Sequence, residues 1–411
     1  MESSTAGRWL FRVGISLLIF FHILIFFSPQ FKLFFYPLAW WSFILTLEGY
    51  NSLQGRAIFL QKKVSYFLYI CAISAFLWFI FETFNLYLGN WYYVLAFKPL
   101  SDNLPARWLG ATFCFATVLP GLWEVQRTVY YFLPPSLDQF KKFKPSRKLL
   151  WALLIIGILG VFGPLLAPTY MFPFVWLGLL LVVEFVEYRS GGPSFLGEFS
   201  AGKYRLLISW LLAGAVCGFL WEFWNHFART GWIYTVPFMG EWRLFEMPVL
   251  GYFGFPPFSL MVWRLFVFID RNYRSWNRKV RFSFWPGVII FCLLVLCGME
   301  IYTNVPAYNN LEDYQVWTRQ EARIIHRKNL QTPRQILKAD TPEKMKKKAR
   351  LILLGKMGTK SASCLTRADI TSIEKLKKSS TGQLAPLLLE CHGGRLSFWQ
   401  RRIKDWKQRA N

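Results

Sequence analysis

Residues 64–85 read VSYFLYICAISAFLWFIFETFN, an apolar run without Lys or Arg that is long enough to cross a bilayer and carries its only charge, Glu82, near its end. A second run, Leu206–His226, ends the same way, with Trp221-Glu222-Phe223-Trp224-Asn225 where the first has Phe81-Glu82-Thr83-Phe84-Asn85. Working outward, runs of this kind lie near Trp9–Phe27, Leu33–Tyr50, Val64–Asn85, Trp108–Phe132, Leu149–Ala167, Phe172–Glu187, Leu206–His226, Val249–Ile269 and Pro286–Tyr302, which predicts nine spans. Composition agrees: of 411 residues 54% are hydrophobic and only 17% charged, unlike a water-soluble chain. Disorder, collagen and a disulfide scaffold are excluded. The first run lacks a small-residue cleavage site and reads as a retained helix.

The 48 Lys+Arg outnumber the 23 Asp+Glu, and the cations are not evenly spread. Basic clusters follow the second span (Arg56, Lys62, Lys63), the fourth (Lys141, Lys142, Lys144, Arg147, Lys148), the sixth (Arg189, Lys203, Arg205) and the eighth (Arg271, Arg274, Arg278, Lys279, Arg281). Basic loops face the cytoplasm, so the N-terminus, with Arg8 and Arg12, is expected there. Nine crossings put the tail outside, whereas its own basic character argues for inside; the sequence leaves its side open.

The chain repeats itself. Pro37, Trp40, Glu48, Gly55, Phe59 and Leu60 recur 136 residues later as Pro173, Trp176, Glu184, Gly191, Phe195 and Leu196. The Glu-x-x-Asn segments follow at an offset of 140. Trp91, Tyr93, Phe97, Leu109 and Gly110 match Trp232, Tyr234, Phe238, Leu250 and Gly251 at 141. The sequence therefore predicts an all-α polytopic membrane protein of about nine transmembrane helices: a first four-helix repeat (1–148), a parallel second one (149–282), an extra helix (283–304) and a small basic helical soluble domain (305–411).

Ionisable groups inside a span are functional candidates by default. Glu82 and Asn85, like Glu222 and Asn225, are three residues apart and share a helix face. A carboxylic acid removed from water holds its proton more readily, because its charged form loses hydration, and it can then act as a general acid. Glu82 and Glu222 are accordingly the candidate catalytic residues, with Asn85, Asn225, Trp91, Tyr93, Trp232, Tyr234, Glu124 and Glu246 as candidate substrate-binding residues. Plainer readings stand beside these: the carboxylates lock helices together, and the aromatics anchor the membrane interface. Glu48 and Glu184 read as boundary ion pairs with Arg56 and Arg189, and Pro256-Pro257 must break or kink the eighth helix. His22 and His226 are packing residues or, less economically, a bis-imidazole haem pair. No cofactor or metal is called for, and the phosphate-loop, zinc-protease and nucleophile-elbow motifs are absent.

Five of the seven cysteines lie in apolar runs; Cys364 and Cys391, in the tail, can pair if that segment faces an oxidising compartment. The tail carries its own duplication, Ala322, Leu330, Thr332 and Ile336 recurring as Ala362, Ile370, Ser372 and Leu376. Its second copy, Leu354-Gly355-Lys356-Met357-Gly358-Thr359-Lys360, resembles a helix-hairpin-helix unit, a family whose hairpin amides bind phosphate. Lys356 stands where the first glycine belongs, and the earlier copy has Gln315, Val316, Trp317 and Thr318 there. These departures favour a protein partner over nucleic acid. Trp399, Ile403 and Trp406 share a helical face that suits either anionic lipid or the tail's own core.

The spans as a whole resemble bacterial polytopic proteins with Trp-Glu-x-x-Asn (Trp221 to Asn225) and Asn-Trp-Tyr-Tyr (Asn90 to Tyr93) patterns, a resemblance that implies a bacterial inner membrane location and points to no particular function. They also resemble the integral-membrane lycopene cyclases, duplicated and aromatic-rich with intramembrane carboxylates, whose proline-and-acid motif Glu246-Met247-Pro248 partly matches. That resemblance implies acid-catalysed modification of a lipid or isoprenoid. A non-enzymatic membrane subunit whose tail recruits a protein partner is the competing class, and a transporter the third.

Overall fold

The computed structural model describes residues 2–56, 59, 64–95, 103–234, 242–306, 311, 316–328, 330 and 332–410. Leu60, Lys62, Lys63, Phe97, Phe238 and Gln315, which enter the readings above, lie outside the described residues. Helix dominates. Among the described residues seven helical segments are long and apolar enough to cross a membrane: Thr5–Phe27, Val64–Leu88, Leu104–Phe132, Arg147–Leu166, Arg205–Phe227, Val249–Ser275 and Arg278–Tyr302. This is a multi-pass, all-α membrane protein.

The helices that matter below are α1 (Glu2–Phe27), α2 (Phe35–Leu53), α3 (Val64–Leu88), α4 (Leu104–Phe115), α5 (Val118–Phe132), α6 (Arg147–Leu166), α7 (Phe174–Arg189), α8 (Arg205–Phe227), α9 (Phe255–Ser275) and α10 (Arg278–Tyr302). The expected spans near Leu33–Tyr50 and Phe172–Glu187 are α2 and α7, which fall outside the seven for different reasons. Helix α7 has only 16 residues, while α2 has 19 but carries Ser42, Thr46, Glu48, Asn51 and Ser52, which lower its hydropathy.

The chain divides into two compact units: Met1–Leu88, Leu109–Ala228 and Val249–Val295 form the first, and Gly89–Trp108, Arg229–Pro248 and Leu296–Asn411 the second. In the first, α1 packs along α2 and α6 along α7. Small residues let these backbones approach: a Cβ added to Gly160 would sit 2.9 Å from Gly178 Cα, and one added to Gly14 would collide with the Thr46 backbone. Outward faces of α1 (Phe20, Ile23, Phe26), α6 (Ile155, Leu159, Phe162) and α10 (Ile289, Ile290, Leu294) are exposed and apolar, a surface suited to lipid. The interior is aromatic, with Phe35, Trp40, Phe79, Phe81 and Trp210 fully buried. The expected break at Pro256-Pro257 takes the form of a 3₁₀ turn, Val249–Gly254, after which the two prolines begin α9, where their missing N–H groups are no loss. A turn at Ala116-Thr117 likewise separates α4 from α5.

The second unit contains the short strands β1 (Trp91–Leu95), β2 (Gly231–Tyr234), β3 (Arg243–Leu244), β4 (Met247–Pro248) and β5 (Asn304–Pro306). Three of them form a small sheet in the order β2-β1-β5, and β3 pairs with β4 as a two-stranded ribbon. Strands β1 and β2 are antiparallel, with Trp91 opposite Tyr234, Tyr92 opposite Ile233 and Tyr93 opposite Trp232; β5 joins β1 in parallel. The tail follows as α11 (Arg319–Arg327), α12 (Pro333–Lys338), α13 (Glu343–Leu353), α14 (Gly358–Arg367), α15 (Ile373–Lys378), α16 (Thr381–His392) and α17 (Leu396–Arg409). Tyr92, Val94 and Ile233 share one apolar core with the tail's Leu351, Leu365, Leu388, Phe398, Trp399, Ile403 and Trp406. Trp399, Ile403 and Trp406 thus close the tail's own core, the second of the two roles their spacing allows. Helices α11 and α12 start with capping boxes, Thr318 with Glu321 and Thr332 with Gln335, and Ser372 caps α15 at the position that repeats Thr332.

Candidate functional site

Helix α3 brings Glu82 and Asn85 together, and both are fully buried, as are Glu222 and Asn225 on α8. Trp78 Nε1 donates to Glu82 Oε1 at 2.9 Å, and Asn85 Nδ2 reaches Glu82 Oε2 at 3.4 Å. Both oxygens of Glu82 therefore have donors from their own helix, at positions four residues before and three after. The surroundings of Glu222 are different. The phenols of Tyr36 and Tyr252 both lie within electrostatic reach of its carboxyl. Position 218, which follows the repeat offset from Trp78, is glycine, and an added Cβ there would run into the Phe255 ring.

An aromatic layer borders both carboxyl segments. Phe258 touches Trp78, Phe81, Trp176 and Trp221 at ring-centroid distances of 5.9, 5.7, 5.6 and 5.6 Å. Trp40 meets Trp221 at 5.6 Å and Trp224 at 4.8 Å, and Trp176 meets Phe81 at 4.8 Å. Trp78 is accessible to sequence reasoning, since i and i+4 on a helix are neighbours. Tyr36, Tyr252 and Phe258 are not, because each comes from another helix or turn and nothing in its local sequence marks it.

Glu124 belongs elsewhere in the first unit. Its Oε2 accepts from Asn51 Nδ2 at 2.7 Å and its Oε1 from Arg127 Nη1 at 2.9 Å, while Arg127 stands 3.7 Å from Glu48. Ser74 Oγ accepts from Leu119 N and donates to Phe115 O, which registers α3 against α5. From that anchor Glu82 lies eight residues along α3, and Glu124 five residues along the antiparallel α5. At roughly 1.5 Å per residue the two are about 20 Å apart along the helices. They do not share a site. A second cluster joins Arg264 to Glu184 at 2.7 Å and to Glu187 at 3.8 Å, with Arg271 3.0 Å from Glu187. Glu48 and Glu184 are thus paired with Arg127 and Arg264 on other helices, where proximity in sequence suggests Arg56 and Arg189.

In the second unit, Trp91, Tyr93, Trp232 and Tyr234 are strand residues, and Trp232 Nε1 donates to Tyr234 Oη at 2.8 Å. Glu246 is ion-paired with Arg409 at 2.7 Å and with Lys356 at 3.8 Å. Asp405 accepts from Arg243, Arg402 and Arg409 at 2.6, 2.6 and 3.0 Å. Complete burial lowers the Arg402 guanidinium to about 10, with Asp405 opposing that shift. The hairpin Leu354–Lys356 between α13 and α14 has left-handed backbone at Gly355 and Lys356, but Gly355 O accepts from Arg402 and Trp406 of α17. The last helix thereby covers the turn that would present amides to phosphate.

His22 is fully engaged within the first unit: Nδ1 is 2.7 Å from Leu18 O, and Nε2 accepts from Trp224 Nε1 at 2.9 Å. A ring that uses both nitrogens this way has no lone pair left for iron, so it does not suit haem ligation. Among the described residues no group of three or more His, Cys, Asp and Glu could hold a metal ion. No family model, curated protein or solved structure matches this chain.

Proposed function

We propose that this protein is an integral membrane enzyme that modifies an isoprenoid or related unsaturated lipid by acid catalysis, with Glu222 as the proton donor. The observation that carries this reading is the asymmetry between the two buried carboxyls. Glu82 accepts from Trp78 and Asn85 of its own helix, whereas the second half has Gly218 at the position that repeats Trp78, and Glu222 has two phenols within electrostatic reach and aromatic rings beside it. An acid set among aromatic side chains has beside it the kind of surface against which an apolar, unsaturated chain packs.

In this reading the Glu222 carboxyl transfers its proton to one carbon of a C=C bond, leaving a carbocation at the other. A neighbouring double bond attacks that carbon, and loss of a proton from the new cation returns the carboxyl to its acid form. The reaction is an isomerisation and needs no oxidant. Trp221, Trp40 and Phe258 supply negative π faces for the cation. Glu82 is then a structural acceptor that fixes the Trp78 and Asn85 side chains of its own helix.

We infer further that the membrane part is a tandem 4+4 repeat plus one helix, with α2 and α7 as the second crossing of each half. The first unit supports this through reciprocal contacts: Trp40 touches Trp221, and the offset partners Trp176 and Phe81 touch each other. In the second unit β1 and β2 pair antiparallel with Tyr92 opposite Ile233, its partner at offset 141, as two-fold-related strands must. A cytoplasmic N-terminus accords with the basic loops, and a bacterial inner membrane with the patterns at Asn90–Tyr93 and Trp221–Asn225.

The second reading, a non-enzymatic subunit, is favoured by the bonds of Glu82 within its own helix, which give a buried carboxyl a purely structural role. The test is an absorption spectrum of the purified protein with mass analysis of its organic extract. A co-purifying polyene or isoprenoid supports the enzyme and names its substrate class. Bulk phospholipid alone, together with no turnover of added prenyl lipids, sinks it.

A further inference from the structure

Three helices end within a few residues of one sheet. Helix α3 ends at Leu88 and β1 begins at Trp91; α8 ends at Phe227 and β2 begins at Gly231; α10 ends at Tyr302 and β5 begins at Asn304. Because these strands are neighbours in the order β2-β1-β5, α3, α8 and α10 leave the bilayer on the same side, however many crossings the other helices make. At their opposite ends all three start beside cations. Arg56, Lys62 and Lys63 precede α3, Lys203 and Arg205 open α8, and Arg271, Arg274, Arg278, Lys279 and Arg281 surround the start of α10. The sheet-side segments are poorer in cations: Lys98 and Arg107 after α3, and Arg229 and Arg243 after α8.

The tail is committed to that sheet side, since its helices share their core with Tyr92, Val94 and Ile233. Its basic character does not oppose export, because long segments cross largely regardless of charge. A second, independent observation points the same way. Cys364 of α14 and Cys391 of α16 are joined in a disulfide with their Cα atoms 6.4 Å apart, while Cys71, Cys114, Cys217, Cys292 and Cys297 are free. Disulfides persist outside the cytoplasm and are rare within it.

We propose that Cys364 and Cys391 are a post-export modification site: the tail, with the loops that follow α3 and α8, lies on the face opposite the basic loops, and there an envelope disulfide donor oxidises the two thiols. This rests on the basic loops being cytoplasmic. In the exchange a thiolate of the tail attacks the donor's disulfide, and the second tail thiolate then displaces the donor. The tail gains one S–S bond, and the donor leaves as a dithiol carrying the two electrons and two protons. The bond ties α14 to α16 inside the tail core.

The test uses the full chain in growing cells. Thiols are quenched with acid, the protein is denatured, and a polyethylene-glycol maleimide is added before or after reduction. With seven cysteines and five free, the expected result is five adducts before reduction and seven after. Seven in both lanes would overturn the proposal. In parallel, an alkaline phosphatase fused after Asn411, active only when exported, is expected to be active. If it is inactive while a fusion that fluoresces only in the cytoplasm lights up, the assigned side is wrong.

Discussion

Arg264 Nε lies 2.7 Å from Glu184 Oε1 with both side chains almost wholly removed from solvent, and Glu187 stands 3.8 Å from the same guanidinium. A buried charge of this kind is tolerated only while its partners remain. Arg264→Met takes the cation from Glu184 and should cost about 3–5 kcal/mol. Adding Glu184→Met to it should recover part of that loss, read as thermal unfolding in detergent. A double variant that loses the full sum of the two single effects would show that the residues are not coupled.

The α6–α7 contact sets a second test. A Cβ on Gly160 would meet Gly178 at backbone distance, whereas one on Gly287 of α10 meets nothing within 4 Å. Gly160→Val should destabilise by about 1–3 kcal/mol through overpacking, and Gly287→Ala should be nearly neutral. Equal effects in a denaturation series would mean that the hairpin does not depend on close backbone approach.

The two intramembrane carboxyls should separate by phenotype. If Glu222 is the acid, Glu222→Gln loses about 10²–10⁴-fold in turnover while keeping its unfolding temperature, as removal of a general acid does. Glu82→Gln should retain most turnover and lose stability, because it weakens the bonds from Trp78 and Asn85. Turnover unaffected in Glu222→Gln would end its catalytic assignment.

The tail should be acid-sensitive. Burial, reinforced by the Lys360 cation, lowers His392 from 6.5 to about 3, so the folded tail holds it neutral beside Ser361 Oγ at 3.1 Å. The unfolded chain binds a proton below about pH 6.5 that the folded one refuses. Stability is therefore complete above that pH and falls as pH drops toward 3, by up to about 1.4 kcal/mol per unit. Trp399, whose ring lies 4.7 Å from the imidazole, gives a fluorescence readout. His392→Gln should flatten the slope, and an unchanged slope would assign the acid sensitivity to other groups.

Much of the membrane architecture is legible in the sequence, because lipid imposes a long apolar run on each helix that faces it: α3, α6 and α10 announce themselves in this way. Helices α2 and α7 read as apolar runs too, but their role as inner partners of α1 and α6 depends on glycine contacts across a hairpin. Spacing alone places each Glu-x-x-Asn pair on one helix face. It does not say that Glu82 takes donors from Trp78 and Asn85 of its own helix while two phenols from other segments come within electrostatic reach of Glu222.

What the sequence determined by itself was local and periodic: the spans, the basic ends of helices, the offsets of 136 to 141 residues and the shorter duplication in the tail. Only the tertiary structure decided which charges meet. It assigned Glu124 to Asn51 and Arg127, Glu184 to Arg264, and Glu246 to Arg409. It also turned Trp91–Leu95 and Gly231–Tyr234 into paired strands. The physical reason is common to all of these: a buried ion or an open strand edge takes its partner from whichever segment folding brings alongside, and those partners lie up to 163 residues away in sequence.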